Sequence, residues 1–155
     1  MATAGGPLQS GPEGRPIRQH VHEIVVETRG SGLYEVTREV ASRVAASAIR
    51  QGLLTLHVLH TSASLVIQEN ADPDVRADLE RFFARLVPRG DPIFRHTVEG
   101  PDDMPAHVRS ALTATTLSLP IVGGAPALGT WQGVYLWEHR DAPHRRRIAA
   151  HVLGE

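Results

Sequence analysis

A chain of 155 residues with 41% apolar residues, 21% charged residues and a formal net charge of -1 has the composition of one globular domain, with no charge excess to draw it to nucleic acid or an anionic membrane. It contains no cysteine and no lysine, all 16 basic residues being arginine, which excludes a disulfide framework, a thiolate nucleophile, a cysteine-bound zinc and a lysine Schiff base. Any group that holds a phosphate must therefore be an arginine, a helix N-terminus or a metal.

The stretch from Met1 to about Arg15 is rich in Gly, Pro and Ala and lacks the apolar centre of a signal peptide; it reads as a disordered extension ahead of a single domain over residues 16–155. His20 to Thr28 is rich in β-branched residues and suits a strand, with Val21, Glu23, Val25 and Glu27 on one face and Ile24 and Val26 on the other. After the turn Gly30-Ser31-Gly32, apolar residues from Val36 to Ile49 recur at helical spacing, and Gly52 supplies a stop. Leu53 to Leu59 and Ala63 to Gln68 read as two buried strands around His60-Thr61-Ser62. Asp72 caps a second helix with Pro73 at its first position, its apolar stripe running from Val75 to Leu86. A third helix starts at Asp103 or Met104 and runs through His107 and Leu112. Leu117 to Val122, Gly133 to His139 and Arg147 to Leu153 complete the pattern as strands joined by short loops. This order is not the alternation of a doubly wound sheet, and it predicts an α+β fold with about three helices on an antiparallel sheet or sandwich. No run reaches the ~18 apolar residues of a membrane span, so the expected location is cytoplasmic.

Nine histidines direct attention to metal chemistry. His60 stands where a strand gives way to Thr61-Ser62, whereas His57 sits among Leu and Val. His96 lies in a polar loop, and His107 falls near the start of the third helix, where the helix dipole disfavours imidazolium and so favours the neutral ring that a metal needs. Glu69 closes an apolar strand where no cap is needed, next to Asn70; Asp72 is accounted for as a cap. Gly129-Thr130-Trp131-Gln132-Gly133 combines close backbone approach with an aromatic plate and an amide. The phosphate-binding loop, the dinucleotide fingerprint, the nucleophile elbow and the HExxH motif are all absent.

Four segments, His60-Thr61-Ser62-Ala63-Ser64-Leu65, Glu69 through Arg76, Asp102 through His107, and Gly129 through Gly133, together resemble the motifs of the YjbQ family in their expected order. The resemblance implies a homotrimer of α+β subunits with a pocket near the subunit interfaces. It implies His60, His96 and His107 as ligands of a divalent metal, zinc or magnesium, with Glu69, Asn70 and Glu138 as catalytic candidates. Thr61, Ser62, Trp131 and Gln132 would then shape a pocket for a small phosphorylated metabolite. It further implies thiamine-phosphate-synthase activity, the coupling of a pyrimidine diphosphate to a thiazole phosphate. The alternatives are metal-assisted hydrolysis with Glu69 as general base and a non-catalytic trimer that binds metal or metabolite. His139 and Arg140 depart from the family pattern, which leaves their roles open.

Overall fold

The computed structural model describes residues 15–155; the expected N-terminal extension, apart from Arg15, lies outside the described residues. The opening β-branched run forms β1 (Arg18–Glu27), in which Ile24 is buried while Val21, Glu23, Val25 and Glu27 are exposed, so the alternation does set the inner face. A short strand, β2 (Gly32–Glu35), follows, and then α1 (Thr37–Ser47) and β3 (Gln51–Val58). The helix stops at Ala48, which adopts the left-handed conformation (φ 55°) and donates its N–H to the carbonyl of Ala45.

Gly52 is therefore not the stop expected of it. It lies inside β3 opposite Gly154, where a Cβ would come within 2.0 Å of the Leu153 carbonyl oxygen. Its glycine is required by the close approach of two backbones.

β4 (Ala63–Glu69) leads into α2 (Pro73–Leu86), capped as expected by Asp72, whose carboxylate accepts the N–H of Asp74 at 2.9 Å. A loop then reaches α3 (Asp103–Leu112), β5 (Thr116–Val122), the two-residue β6 (Ala125–Pro126), β7 (Gln132–Glu138) and β8 (Arg145–Gly154). The strands make two antiparallel sheets, one of order β1-β8-β3-β5-β6 and one of order β2-β7-β4. The protein is thus an α+β sandwich with three helices.

Between the sheets, Ile24, Leu54, Leu56, Leu119, Ile148 and Val152 of the larger one meet Leu65, Val134 and Leu136 of the smaller, with Val40 and Val44 of α1 in the same core. β7 is buried on both faces: Tyr135, Trp137 and, just past the strand's end, His139 face the side of α2 and α3, where Trp137 meets the edge of Phe83 at 4.8 Å. α3 is fastened to β4 by the Ser110 hydroxyl on the Ala63 carbonyl (3.0 Å) and by the Leu65 N–H on the carbonyl of Ala114 (2.7 Å). These bonds hold the C-terminal end of α3 beside the first residues of β4.

Candidate metal centre

The four-residue step from Asp103 to His107 puts both side chains on one face of α3, and the preceding loop carries His96 to the same place. His96 Nε2 lies 2.6 Å from Asp103 Oδ2, His107 Nε2 lies 3.4 Å from that oxygen, and ligand atoms of all three residues fall within 4.8 Å of one another. An ion with bonds of ~2.0–2.1 Å in tetrahedral geometry spaces its ligands by roughly 3.3 Å. The His107 spacing meets that value, and the His96 contact has only to open by about 1 Å or less.

Two outer contacts prepare these donors. His107 Nδ1 is 3.1 Å from the carbonyl oxygen of Thr61; a carbonyl only accepts, so Nδ1 carries a proton and Nε2, toward Asp103, is the nitrogen left to ligate an ion. Asp103 is 1% exposed, and its other oxygen is ion-paired to Arg140 Nη1. Arg140 also donates from Nε to Asp102 Oδ2 at 3.0 Å and from Nη2 to the Glu99 carbonyl at 2.9 Å. Burial works against its charge, but Asp102, Asp103 and Glu99 outweigh that and raise its pKa. Asp102 also suffers from burial, yet the Asp141 N–H and Arg140 hold its carboxyl below the usual carboxylate range. Beside His96 is a cavity of about 180 Å³, lined in part by Asp91, Phe94, Thr97, Met104 and Pro105.

The remaining candidates divide between the two ends of the smaller sheet. Near the His96–Asp103–His107 cluster, His60 Nε2 accepts the backbone N–H of Arg147 at 2.9 Å, so its lone pair is occupied. Burial, then the charge of Arg146, lowers the pKa of His60. Thr61 contributes the carbonyl that orients His107, and Ser62 accepts from Arg146 through both its hydroxyl and its carbonyl. Glu138 is fully buried, and its oxygens receive Thr28 Oγ1 (2.8 Å), Arg146 Nε (2.7 Å), Arg146 Nη2 and the Arg140 N–H (3.0 Å). With four donors on two oxygens it has no surface to offer a substrate.

Glu69, Asn70, Trp131 and Gln132 are at the other end. Ala63 pairs with Glu138 and Glu69 with Gln132, so six strand residues, about 20 Å, separate the two groups within one chain. Trp131 is 64% exposed rather than packed in the core, and Gln132 folds back to accept the Gly129 N–H at 2.8 Å. The residue that sequence reading passed over is Asp103, considered only as a helix start. The readable signal was its spacing of four from His107 at the head of an amphipathic helix.

The fold and this cluster define a small α+β sandwich with a histidine–aspartate centre at one end. The YjbQ family model, described as UPF0047 protein YjbQ-like, matches residues 22–155. The UPF0047 protein sll1880 of Synechocystis is 54% identical over 139 residues, covering 90% of this chain and 95% of that protein. The UPF0047 protein YjbQ of Escherichia coli O157:H7 is 44% identical over 133 residues, covering 85% and 96%. A solved YbjQ-like protein of unknown function from Sulfolobus solfataricus superposes with a TM-score of 0.83 at 23% identity, over 90% of this chain and all of that one, and shows the same fold. The chain belongs to the UPF0047 YjbQ-like family.

These relatives correct the functional expectation. They are described only as UPF0047 or YbjQ-like proteins, one of them of unknown function, and no description among them gives a thiamine-phosphate-synthase activity to transfer. The geometry adds a physical reason: Arg140, the arginine at the centre, is already taken up by Asp102 and Asp103 and is not free to hold a diphosphate. Among the described residues no helix is long and apolar enough to cross a membrane.

Proposed function

We propose that this protein binds one divalent metal ion per chain through His96, Asp103 and His107 and uses it on a small polar substrate. The observation that carries this reading is the Nδ1–H of His107 on the Thr61 carbonyl, which frees Nε2 for an ion next to a buried, arginine-anchored carboxylate. Two imidazoles and one carboxylate suit zinc or another transition ion better than magnesium, which prefers oxygen ligands and retains water. Such an ion, held by only three protein ligands, supplies Lewis acidity at an open position. The chain's own part is to fix the donors: Thr61 sets the His107 tautomer, and Arg140 and Asp102 hold Asp103.

Elemental analysis of tag-free protein is expected to find about one ion per chain. His96→Ala and His107→Ala should weaken retention by more than the ~10–100-fold that loss of an outer partner costs, and Arg140→Gln by about that amount. His60→Ala should keep its ion. A metal-free parent, or His96→Ala and His107→Ala variants that hold the ion as the parent does, would overturn the assignment.

We further propose a homotrimer. The support is the outer face of the larger sheet, where Leu53 and Leu153 stand side by side and Val21, Val25 and Val122 are also exposed, an apolar surface of the kind that partners cover. Light scattering should give the mass of three chains; a monomer at micromolar concentration would remove the proposal.

A further inference from the structure

α3 carries a second charged group on the side away from His107. Arg109 is only 6% exposed, and its Nη2 donates to the Val87 carbonyl at 2.9 Å while its Nε is buried with no partner. Among the described residues no carboxylate lies within ion-pair distance of it. The two acidic groups whose fields reach it, Glu80 and Asp141, are engaged elsewhere. Glu80 accepts from Trp137 Nε1 and, at 3.1 Å, from the Ser31 hydroxyl; Asp141 is paired with Arg89.

A guanidinium does not shed its proton, so a buried one with this little compensation calls for an anion. Arg109 lines a cavity of about 460 Å³ together with Arg81, Arg89, Ser31 and Glu80. The lining thus sets three guanidinium groups against one carboxylate, and that carboxylate is already hydrogen-bonded. Arg81 and Arg89 have their own partners, Asp78 and Asp141, but these pairs are exposed, with side-chain exposures of 69%/69% and 53%/43%. Exposed pairs are weakly held, and both arginines can turn to a bidentate ligand carrying more charge than one carboxylate.

We propose that this cavity binds the phosphate group of a small molecule, with Arg109 as the fixed cation and Arg81 and Arg89 closing over it. A single carboxylate would meet fewer of the donors than a phosphate dianion, which has three terminal oxygens. The size lies in the range of small-molecule sites, ~300–1,000 Å³, leaving room for the part of a monoester beyond its phosphate. The site is independent of the metal centre, since His107 and Arg109, two residues apart, point to opposite sides of α3.

The test is calorimetric titration of the full chain, stripped of metal by a chelator, with inorganic phosphate and with a sugar monophosphate. Saturable binding of both is expected, tighter for the monoester. Arg89→Ala and Arg81→Ala, both at exposed positions, should each weaken it by about tenfold, the scale of one charge-assisted hydrogen bond. Arg109→Lys, which keeps a buried cation if Arg109→Gln fails to fold, should weaken it further, while His107→Ala should leave it unchanged. Tighter binding of inorganic phosphate than of the monoester would assign the site to the free ion and overturn the small-molecule reading. No saturable binding at millimolar phosphate, or binding lost with His107→Ala and kept in Arg89→Ala, would overturn the pocket altogether. Neither outcome bears on whether His96, Asp103 and His107 hold a metal.

Discussion

Glu138→Gln is expected to destabilise the protein by about 3–5 kcal/mol, the cost of breaking a buried ion pair by removing one partner. All four groups on the Glu138 carboxylate are donors. Either orientation of the glutamine amide therefore sets its NH2 against a donor, and leaves Arg146, with 5% of its side chain exposed, charged and uncompensated. The melting temperature should fall by about 10 °C, since ~2–4 °C accompanies each kcal/mol in a domain of this size. Replacing both members, with Glu138→Leu and Arg146→Met, should recover much of the loss because no lone charge stays behind. A loss below about 1 kcal/mol in the single variant, by chemical denaturation, would contradict the pairing. Burial works against the Glu138 charge, but the Arg146 bond, the Arg140 N–H and Thr28 outweigh it and lower its pKa from 4.5. Its contribution is therefore fully present above that value and is lost only as pH falls below it.

What could be read in the chain depended on how local each cause was. The face of β1 follows from alternation alone, and the start of α2 from Asp72-Pro73, because both signals act within a few residues. β2 escaped notice because Leu33 and Tyr34 become strand only by pairing with Trp137 and Leu136, more than a hundred residues away. Gly52 was given a local duty, helix termination, when its reason is the backbone of Leu153 on another strand. At the site the same division holds. His96 and His107 stood out as polar-loop and helix-start histidines, whereas the grouping of His60 with them rested on its strand-end position and on the family resemblance. The structure shows His60 occupied by a backbone amide that only the β3–β8 pairing brings near. Glu138, on a strand of apolar residues, gave no sign that its partner would be Arg146, the middle of a run that otherwise reads as a solvated basic face.

The neighbour of that carboxylate gives the second large effect, expected at a different pH. His139 is 2% exposed, its Nε2 lies 2.8 Å from the Ser64 hydroxyl, and its Nδ1 is buried without a partner. Burial, then the positive charges of Arg109 and Arg146, push its pKa down to about 3, the opposing charge of Glu138 notwithstanding. The folded protein thus keeps this ring neutral while the unfolded chain takes up a proton below 6.5. Stability from His139 is complete above that pH and drains away as pH falls toward 3, at up to about 1.4 kcal/mol per pH unit, or on the order of 5 kcal/mol in all. His60, also lowered, adds to the slope with the same sign. Thermal melts from pH 7 to pH 4.5 should show stability falling before Glu138 begins to titrate. His139→Gln, which cannot take up a proton, should flatten most of that slope even if it lowers stability at pH 7. An unchanged slope in the variant would mean that His139 is not the group being protonated. The neutral, orphaned nitrogen would then need another explanation in the packing beneath Trp137, whose ring lies 5.3 Å away.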